Sequence, residues 1–340
     1  MLVGLVSWSL GLLDYVAVAL LRMILPKRAK FFGKGYGDLS LAWKAQEELL
    51  AAKSPQMEKL EFHETKKSGP VTIQRVTFTS PLAKYLPEAA QQANFYLVEP
   101  VGKKAKIMVI LLPATGEAGK STRLTMAKHF AQKHGWSSAI VTAPFYASRK
   151  PKGQPSYFIE TVESMLTQSN AVSAEASLMI EYYMKQSYQI VVSGFSWGAA
   201  MSCVSTGLAL ARGVDGSKIA CVPYVGSASP CAIADGALQK SIHYDSVDDK
   251  LFEVLYKMQL SCVDVSKAKP LAVLNVVGTR DDHFLRHKFV QEWFDQLGAW
   301  KVQNRTMSWQ IGGHATAMAV RPYVQPRMIE RAVQLLEKSQ

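Results

Sequence analysis

The sequence predicts an α/β protein in which a mostly parallel central sheet carries helices on both faces. Three observations support this prediction. Short, β-branched apolar segments alternate with longer segments of good helix formers along the 340 residues. A turn with the pattern G-x-S-x-G stands between one such apolar segment and one such helical segment. Hydrophobic residues make up 48% of the chain, which suits a large buried core and argues against disorder.

The predicted elements alternate from residue 39 to the end of the chain. Short apolar runs predict buried strands, and segments of good helix formers predict the helices between them. A charged connector is predicted at residues 53–70, between the first helix and the first strand. The strands are predicted at residues 71–79, 94–98, 107–112, 138–142, 189–193, 219–225, 271–277 and 306–311. The helices are predicted at residues 39–52, 121–134, 171–185, 197–212, 288–297 and 327–338.

Residues 1–37 are predicted to form a separate N-terminal hydrophobic and basic helix, ahead of a single domain at 38–340. Residues 1–25 are mostly apolar and are followed by a basic cluster. A cleaved signal fits poorly because no small-residue cleavage site follows, and Asp14 and Arg22 would cost energy within lipid. A helix docked on a membrane surface, a targeting signal and a helix packed on the protein itself all stay open.

The composition narrows the class of partner. The net charge of +12 suits an anionic partner such as an acidic membrane surface. We predict no nucleic-acid partner, because the sequence has no zinc-finger spacing, no RNP pattern and no long basic helix. The four cysteines have no C-x-x-C spacing, which indicates reduced thiols in an intracellular compartment rather than a metal or redox site.

The segment Gly-Phe-Ser-Trp-Gly at 194–198 is the most informative motif. It follows the predicted strand 189–193 and opens a predicted helix, so Ser196 would stand on a nucleophile elbow. Gly194 and Gly198 would leave room where side chains would crowd the turn. A serine hydroxyl attacks an acyl carbonyl only when a base removes its proton, so the motif requires a histidine elsewhere in the chain.

His314 and Asp281 are the predicted partners of Ser196. The site of an open parallel sheet forms at the carboxyl ends of its strands, and each of these three residues follows a predicted strand. Their order along the chain, Ser then Asp then His, is the order found in α/β-hydrolases. Asp282 is the alternative acid, and Asp281 is preferred because of its spacing from Gly278.

Two backbone amides are expected to stabilise the oxyanion that develops during acyl transfer. Trp197 would supply one amide because it directly follows the nucleophile. Thr115 would supply the other, with Gly116 as its neighbour, from the loop after the predicted strand 107–112. This chemistry needs no metal and no organic cofactor.

The same loop supports a competing prediction. Residues 114–121 fit a relaxed phosphate-binding loop, in which Ala114 replaces the first glycine of G-x-x-x-x-G-K-[ST]. A nucleotide-binding protein that uses Lys120 is therefore an alternative, and a non-catalytic, membrane-associated scaffold is another. The nucleotide alternative leaves the elbow serine unexplained, and no strand that ends in a magnesium-binding aspartate is evident.

Several stretches resemble the family of alpha/beta-hydrolase domain-containing protein 18. They are residues 78–87, 114–117 with 123–127, 143–152, and 194–198 with 238–242. The resemblance implies an α/β-hydrolase fold and a serine hydrolase, with Ser196, Asp281 and His314 at the matching triad positions. It also implies phospholipid deacylation, including that of cardiolipin, and an association with mitochondria. This chain departs from longer members of the family by a short lid at about 227–269.

A basic loop follows the predicted strand 138–142, at the same edge of the sheet as the motif. Arg149, Lys150 and Lys152 are predicted to bind a lipid phosphate near the acyl bond, since guanidinium and ammonium groups both suit phosphate. A solvated run of charge held by the neighbouring proline is the alternative. The sequence thus predicts a serine esterase or lipase whose substrate is an ester, with a phospholipid favoured, and it leaves the oligomeric state open.

Overall fold

Nine strands and nine α-helices lie in the part of the chain that the computed structural model describes. The described residues are 16, 30–51, 59–117, 119–155, 157–227, 230–235, 239, 242–243, 248–257, 263–279, 285–310 and 312–339. The strands are β1 (Glu61–Ser68), β2 (Val71–Thr79), β3 (Gln92–Pro100), β4 (Ile107–Leu112), β5 (Ser137–Thr142), β6 (Gln189–Phe195), β7 (Ile219–Tyr224), β8 (Leu271–Gly278) and β9 (Val302–Trp309). The helices are α1 (Leu39–Leu50), α2 (Glu88–Gln91), α3 (Ser121–His134), α4 (Val162–Lys185), α5 (Trp197–Ala211), α6 (Cys231–Ala234), α7 (Asp249–Tyr256), α8 (His287–Gly298) and α9 (His314–Lys338).

These strands form one mixed sheet in the order β1-β2-β3-β5-β4-β6-β7-β8-β9. The pairings β1–β2, β2–β3 and β3–β5 are antiparallel. All pairings between two strands of the set β4 to β9 are parallel. Every residue of β4, β5, β7 and β8 is buried, as expected for parallel strands covered on both faces. The predicted mostly parallel α/β architecture is therefore confirmed.

The chain reverses its direction across the sheet next to β4. It passes from β4 to β5 on one side and then returns to β6 on the other side. In open α/β sheets a ligand site forms at the carboxyl ends of the strands that flank such a switch point. The loops after β4 and β6 therefore lie together, at the position that the sequence predicts for the site.

Two groups of helices pack on the sheet. α4 packs against α1 and α5, and both α4 and α5 contact β4 and β6. α9 contacts β7 and β8, α3 contacts β5, and these two helices also contact each other. α3 follows the loop after β4, and α9 begins at the predicted catalytic histidine, so this second group is continuous with two parts of the predicted site.

The helices α2, α6 and α7 are not predicted from the sequence. Three further differences have a clear physical cause. The connector predicted before the first strand contains β1, a strand whose residues are almost all exposed. α4 begins at Val162 instead of residue 171, because residues 167–170 are polar although they are buried, and they interrupt the apolar pattern. α9 begins at His314 instead of residue 327, because Pro322 and Pro326 lie inside the helix and predict an interruption.

The segment that follows the predicted N-terminal helix packs on the domain. The amide of Phe32 donates to the carbonyl oxygen of Ile159 at 2.8 Å, and Phe31 forms a bridge with Ile242. The boundary after residue 37 and the lid at 227–269 stay predictions. A search of the described residues finds no helix that is both long and apolar enough to cross a bilayer.

Candidate active site

Ser196 lies at the sharp turn between β6 and α5. Its backbone angles, φ 58° and ψ −121°, fall in a region that costs a non-glycine residue about 1–3 kcal/mol. Its amide donates to the carbonyl oxygen of Tyr224, at the end of β7, over 3.1 Å. The predicted strand, turn and helix around Ser196 are confirmed, and the strained turn has the form of a nucleophile elbow.

Two glycines allow the backbone to close around Ser196. A Cβ atom on Gly194 would lie 2.2 Å from the carbonyl oxygen of Gly198, and a Cβ atom on Gly198 would lie 2.5 Å from that of Pro113. Both contacts would be with backbone atoms, which cannot swing away as a flexible side chain does. The steric reason predicted for the two glycines is therefore confirmed, and the elbow is packed directly against the end of β4.

His314 is the first residue of α9 and lies against the elbow. It is 4% exposed, and its ring centroid is 5.0 Å from that of Phe195, the residue before Ser196. The structure thus brings the predicted base to the turn that carries the predicted nucleophile. The predicted acid Asp281 and its alternative Asp282 lie outside the described residues, so that part of the triad stays a prediction.

The residues predicted to supply the oxyanion amides lie on two elements that meet at the elbow. Trp197 is the first residue of α5, where the helix dipole favours a nearby negative charge. Thr115 and Gly116 lie in the loop after β4. Gly116 has φ 73°, and a Cβ atom there would press on the ring of Tyr157 at 3.1 Å. The roles of these amides stay predictions.

A buried ionic network, which no sequence motif indicates, supports the loop after β4. The Glu117 carboxylate accepts hydrogen bonds from the Ala114 amide and from Arg123 Nε, both at 2.9 Å, and from Arg321 Nη1 at 3.3 Å. Arg123 also donates to carbonyl oxygens of β4 and β5. Burial alone would raise the pKa of Glu117, but Arg123 and Arg321 outweigh it and lower that pKa.

The same network reaches the strand that precedes the nucleophile. Arg321 Nε donates to Gln325 Oε1 at 2.9 Å, and the Gln325 amide donates to Ser193 Oγ at 2.9 Å. The Arg321 guanidinium also lies over the ring of Phe195, 5.2 Å from its centroid. The network therefore ties the loop after β4 to β6 and to the helix that begins at His314.

Arg149 is not a ligand for a substrate phosphate, so that prediction is wrong. Its side chain is 1% exposed and makes two hydrogen bonds of 2.7 Å to the equally buried carboxylate of Glu175. Its other N–H groups donate to backbone carbonyl oxygens. Every donor is thus used to hold the loop after β5 on α4, on α2 and on the end of β5. Lys150 and Lys152 are exposed, and their predicted role stays a prediction.

The structure argues against the nucleotide-binding alternative. Lys120 Nζ lies over the ring of Tyr96 on strand β3, 3.0 Å from the ring centroid. The loop amide of Ala114 is bonded to the carboxylate of Glu117. In a phosphate-binding loop, the lysine and the backbone amides point at the ligand. In this loop, the lysine and one backbone amide point at side chains of the protein itself.

Aromatic side chains pack beside the loop after β4. The rings of Tyr157 and Phe158 stack with centroids 4.4 Å apart, and the ring of Phe31 meets Phe158 edge-on at 5.1 Å. The phenol of Tyr146 is buried, which raises its pKa to about 12 even though the Gly116 amide opposes that shift. These rings place apolar surface beside the predicted oxyanion amides. Electrostatic stabilisation is stronger in such surroundings than in water.

The sheet, the elbow and the histidine beside it define a protein of the α/β-hydrolase class. A family model described as "Alpha/beta hydrolase domain containing 18" matches residues 29–273. The chain belongs to this family.

Solved structures of esterases share the fold. An acetyl xylan esterase from Paenibacillus sp. R4 has a TM-score of 0.55 and 14% identity, over 92% of this chain and 99% of that chain. Acetyl xylan esterase 1 from Thermoanaerobacterium sp. JW/SL YS485 has a TM-score of 0.53 and 13% identity, over 91% of this chain and 97% of that chain. A cold-adapted esterase from an Arctic intertidal metagenomic library has a TM-score of 0.50 and 13% identity, over 82% of this chain and 99% of that chain. The predicted α/β-hydrolase fold is confirmed.

Proposed function

We propose that this protein is a serine hydrolase that cleaves a carboxylic ester through an acyl-serine intermediate. The left-handed backbone of Ser196 between β6 and α5 is the observation that carries the proposal. Backbone strain of this kind persists only where the surrounding structure enforces it, and it concentrates at active sites. The glycines on either side and the buried His314 nearby add to that support.

In this proposal His314 takes the proton of the Ser196 hydroxyl as its Oγ attacks the ester carbonyl. Asp281 orients the imidazole and stabilises the imidazolium. The oxyanion of the tetrahedral intermediate accepts hydrogen bonds from the amides of Trp197 and of Thr115 or Gly116. The C–O bond then breaks, and His314 gives the proton to the departing alcohol. Water, activated by the same histidine, cleaves the acyl-serine and restores the free hydroxyl.

We further propose that the ester belongs to a phospholipid, with cardiolipin as one candidate. The net charge of +12 favours an anionic surface, and Lys150 and Lys152 are exposed on the loop after β5, at the edge of the sheet that carries Ser196. The apolar and basic residues 1–37 would dock this edge on an intracellular membrane, for which the mitochondrion is the proposed location.

The esterase proposal is tested with purified protein and a short-chain p-nitrophenyl ester. Hydrolysis should be measurable and should fall by about a thousandfold or more in Ser196→Ala, since loss of the nucleophile removes the covalent route. Ser148→Ala is the control, because Ser148 is exposed on the loop after β5. Undiminished hydrolysis by Ser196→Ala would rule out this serine as the nucleophile.

The lipid proposal is tested with two double variants that remove the same charge from opposite edges of the sheet. Lys150→Ala with Lys152→Ala should raise KM for anionic phospholipid vesicles and leave KM for a neutral soluble ester unchanged. Lys103→Ala with Lys104→Ala is the control, since both lysines are exposed in the loop that precedes β4. Equal changes in the two double variants would mean that overall charge, and not this loop, controls binding.

A further inference from the structure

Two histidines and a glutamate form a cluster on the outside of the domain, where α3 contacts α9. His129 Nε2 lies 3.0 Å and His134 Nε2 lies 2.7 Å from the same oxygen of Glu330, Oε1. One ligand atom from each of the three residues lies within 4.8 Å of the other two. The cluster belongs neither to the elbow nor to the basic loop after β5.

We propose that His129, His134 and Glu330 form a binding site for a transition-metal ion of the Zn²⁺ type, which ties α3 to α9. Two imidazole nitrogens and one carboxylate oxygen are ligands that zinc prefers, whereas magnesium and calcium prefer sites made of oxygen alone. The chain supplies three ligands, and water completes the coordination.

The two nitrogen–oxygen distances fit such an ion after small side-chain movements. Ligand atoms about 2.0–2.1 Å from a tetrahedral zinc ion lie about 3.3 Å from each other. The two nitrogen–oxygen distances here are 3.0 and 2.7 Å. Each ring therefore needs to move outward by a few tenths of an ångström, and the ion then replaces the protons that these hydrogen bonds now share.

The three residues can be in the charge state that a metal requires at the same time. Glu330 lies between the two rings, and its side chain is 18% exposed. A carboxylate is ionised at the pH values at which imidazole is neutral and able to bind a metal.

Both histidine rings are held in place by their neighbours. The His134 ring stacks on Trp136 with centroids 4.3 Å apart and 17° between the planes. The His129 ring meets Phe130 edge-on at 5.8 Å. Rings that are already held in place lose little conformational entropy when a metal binds, and this favours binding of the metal.

The cluster is also open to ions from solution. A groove of about 550 Å³ between α3 and α9 is lined by His129, Lys133 and Glu330, together with Tyr323 and Arg327. The groove provides an entry path and room for water ligands. Lys133 Nζ lies 3.1 Å from Glu330 Oε1 and competes with the ion, but its side chain is 56% exposed and can swing away.

The test uses tag-free protein that has been treated with a chelator, and it measures Zn²⁺ binding by calorimetry and by the shift in Tm. Zn²⁺ should bind with a stoichiometry of one and should raise Tm by about 4 °C when its free concentration is a hundred times Kd. Mg²⁺ should have no effect at the same concentration. No binding of Zn²⁺, or an equal response to Mg²⁺, would overturn the proposal.

Two substitutions with matched controls locate the site. His134→Ala and Glu330→Gln should each weaken Zn²⁺ binding by at least about 10–100-fold, since even the loss of a residue that only supports a ligand costs that much. His63→Gln and Glu337→Gln are the controls, because both residues are exposed, and Glu337 is on the same helix as Glu330. Unchanged binding in both His134→Ala and Glu330→Gln would overturn the assignment.

A third variant keeps all three proposed ligands, so its result does not depend on whether His134→Ala and Glu330→Gln fold. Lys133→Met removes the competing ammonium group and should tighten Zn²⁺ binding about three- to tenfold, because two positive charges a few ångströms apart repel each other. Co²⁺ bound to this variant should show the visible absorption of a low-coordinate site. Weaker binding by Lys133→Met, or a Co²⁺ spectrum like that of the aqueous ion, would overturn the proposal.

Discussion

Replacing Glu117 by glutamine removes the negative charge that lies between two buried arginines. Arg123 and Arg321 are 3% and 7% exposed, and each has a guanidinium nitrogen within 3.3 Å of the Glu117 carboxylate. The glutamine keeps the size of the side chain and can still accept a hydrogen bond from the Ala114 amide. The substitution therefore tests the charge and leaves the packing nearly unchanged.

The expected cost follows from the burial of the two cations. Loss of one partner from a buried ion pair destabilises a protein by about 3–5 kcal/mol, because the remaining charge is left without compensation. Glu117 itself is 16% exposed, so the lower end of that range applies. For a chain of 340 residues, about 3 kcal/mol corresponds to a fall in Tm of about 4 °C.

The dependence on pH separates the charge from any packing defect. The pKa of Glu117 is lowered in the folded protein, so its contribution is complete above the unfolded pKa of about 4.3 and is lost as the pH falls through the folded value. The difference in Tm between wild type and Glu117→Gln should therefore be largest at pH 7 and should shrink below about pH 4.

Thermal unfolding followed by circular dichroism from pH 3.5 to 7 provides the assay. Glu253→Gln is the control, because Glu253 pairs with Lys257 over 2.9 Å but is 69% exposed, and such pairs contribute less than about 1 kcal/mol. If Glu117→Gln unfolds within about 1 °C of wild type at pH 7, or if its deficit is as large at pH 3.5 as at pH 7, the reasoning about the network is refuted.

Three further substitutions test the elbow and the corrected loop. Ser196→Gly should raise Tm by a few degrees, since glycine relieves backbone strain of about 1–3 kcal/mol, and it should abolish hydrolysis; a lower Tm would contradict the strain. Gly198→Ala should yield little folded protein, because its Cβ would lie 2.5 Å from the carbonyl oxygen of Pro113, and normal yield with full activity would contradict this contact. Arg149→Lys should destabilise the protein by about 3 kcal/mol or more through loss of the two-fold pairing with Glu175, and it should leave the ratio of KM values for anionic and neutral esters unchanged. A selective rise in KM for the anionic ester would restore Arg149 as a phosphate ligand.

Local patterns were enough to predict the strands that end at the site. β4 is a continuous apolar run, β8 is apolar apart from Asn275, and G-x-S-x-G sets the turn after β6 through its own glycines. The edge strand β1 could not be predicted in this way. Nearly all its residues are exposed, so no alternation of apolar and polar residues marks it, and its pairing with β2 decides its structure.

The start of α4 depends on partners far away in the sequence. Its first turns bury Gln168 and Asn170, whose amides donate to the carbonyl oxygens of Pro144 and Ala42. A helical pattern read from apolar spacing therefore misses these turns.

The roles of the charged residues were the least predictable part of the site. A sequence shows that Arg149 is basic but does not show that Glu175, on another element, uses its guanidinium. The sequence likewise places Glu117 in a loop without revealing Arg321, which lies more than two hundred positions away. Whether a charge serves a ligand or the fold is decided by partners that only the tertiary structure identifies.

Covalent labelling of Ser196 tests the central claim most directly. The purified protein would be incubated with a fluorophosphonate, digested, and analysed by mass spectrometry to locate the adduct. We expect one adduct per chain, on the peptide that contains Ser196, and no adduct in Ser196→Ala, since only an activated serine reacts. An adduct that persists in Ser196→Ala, or a folded wild-type protein that takes up no label, would contradict the assignment of this protein as a serine hydrolase.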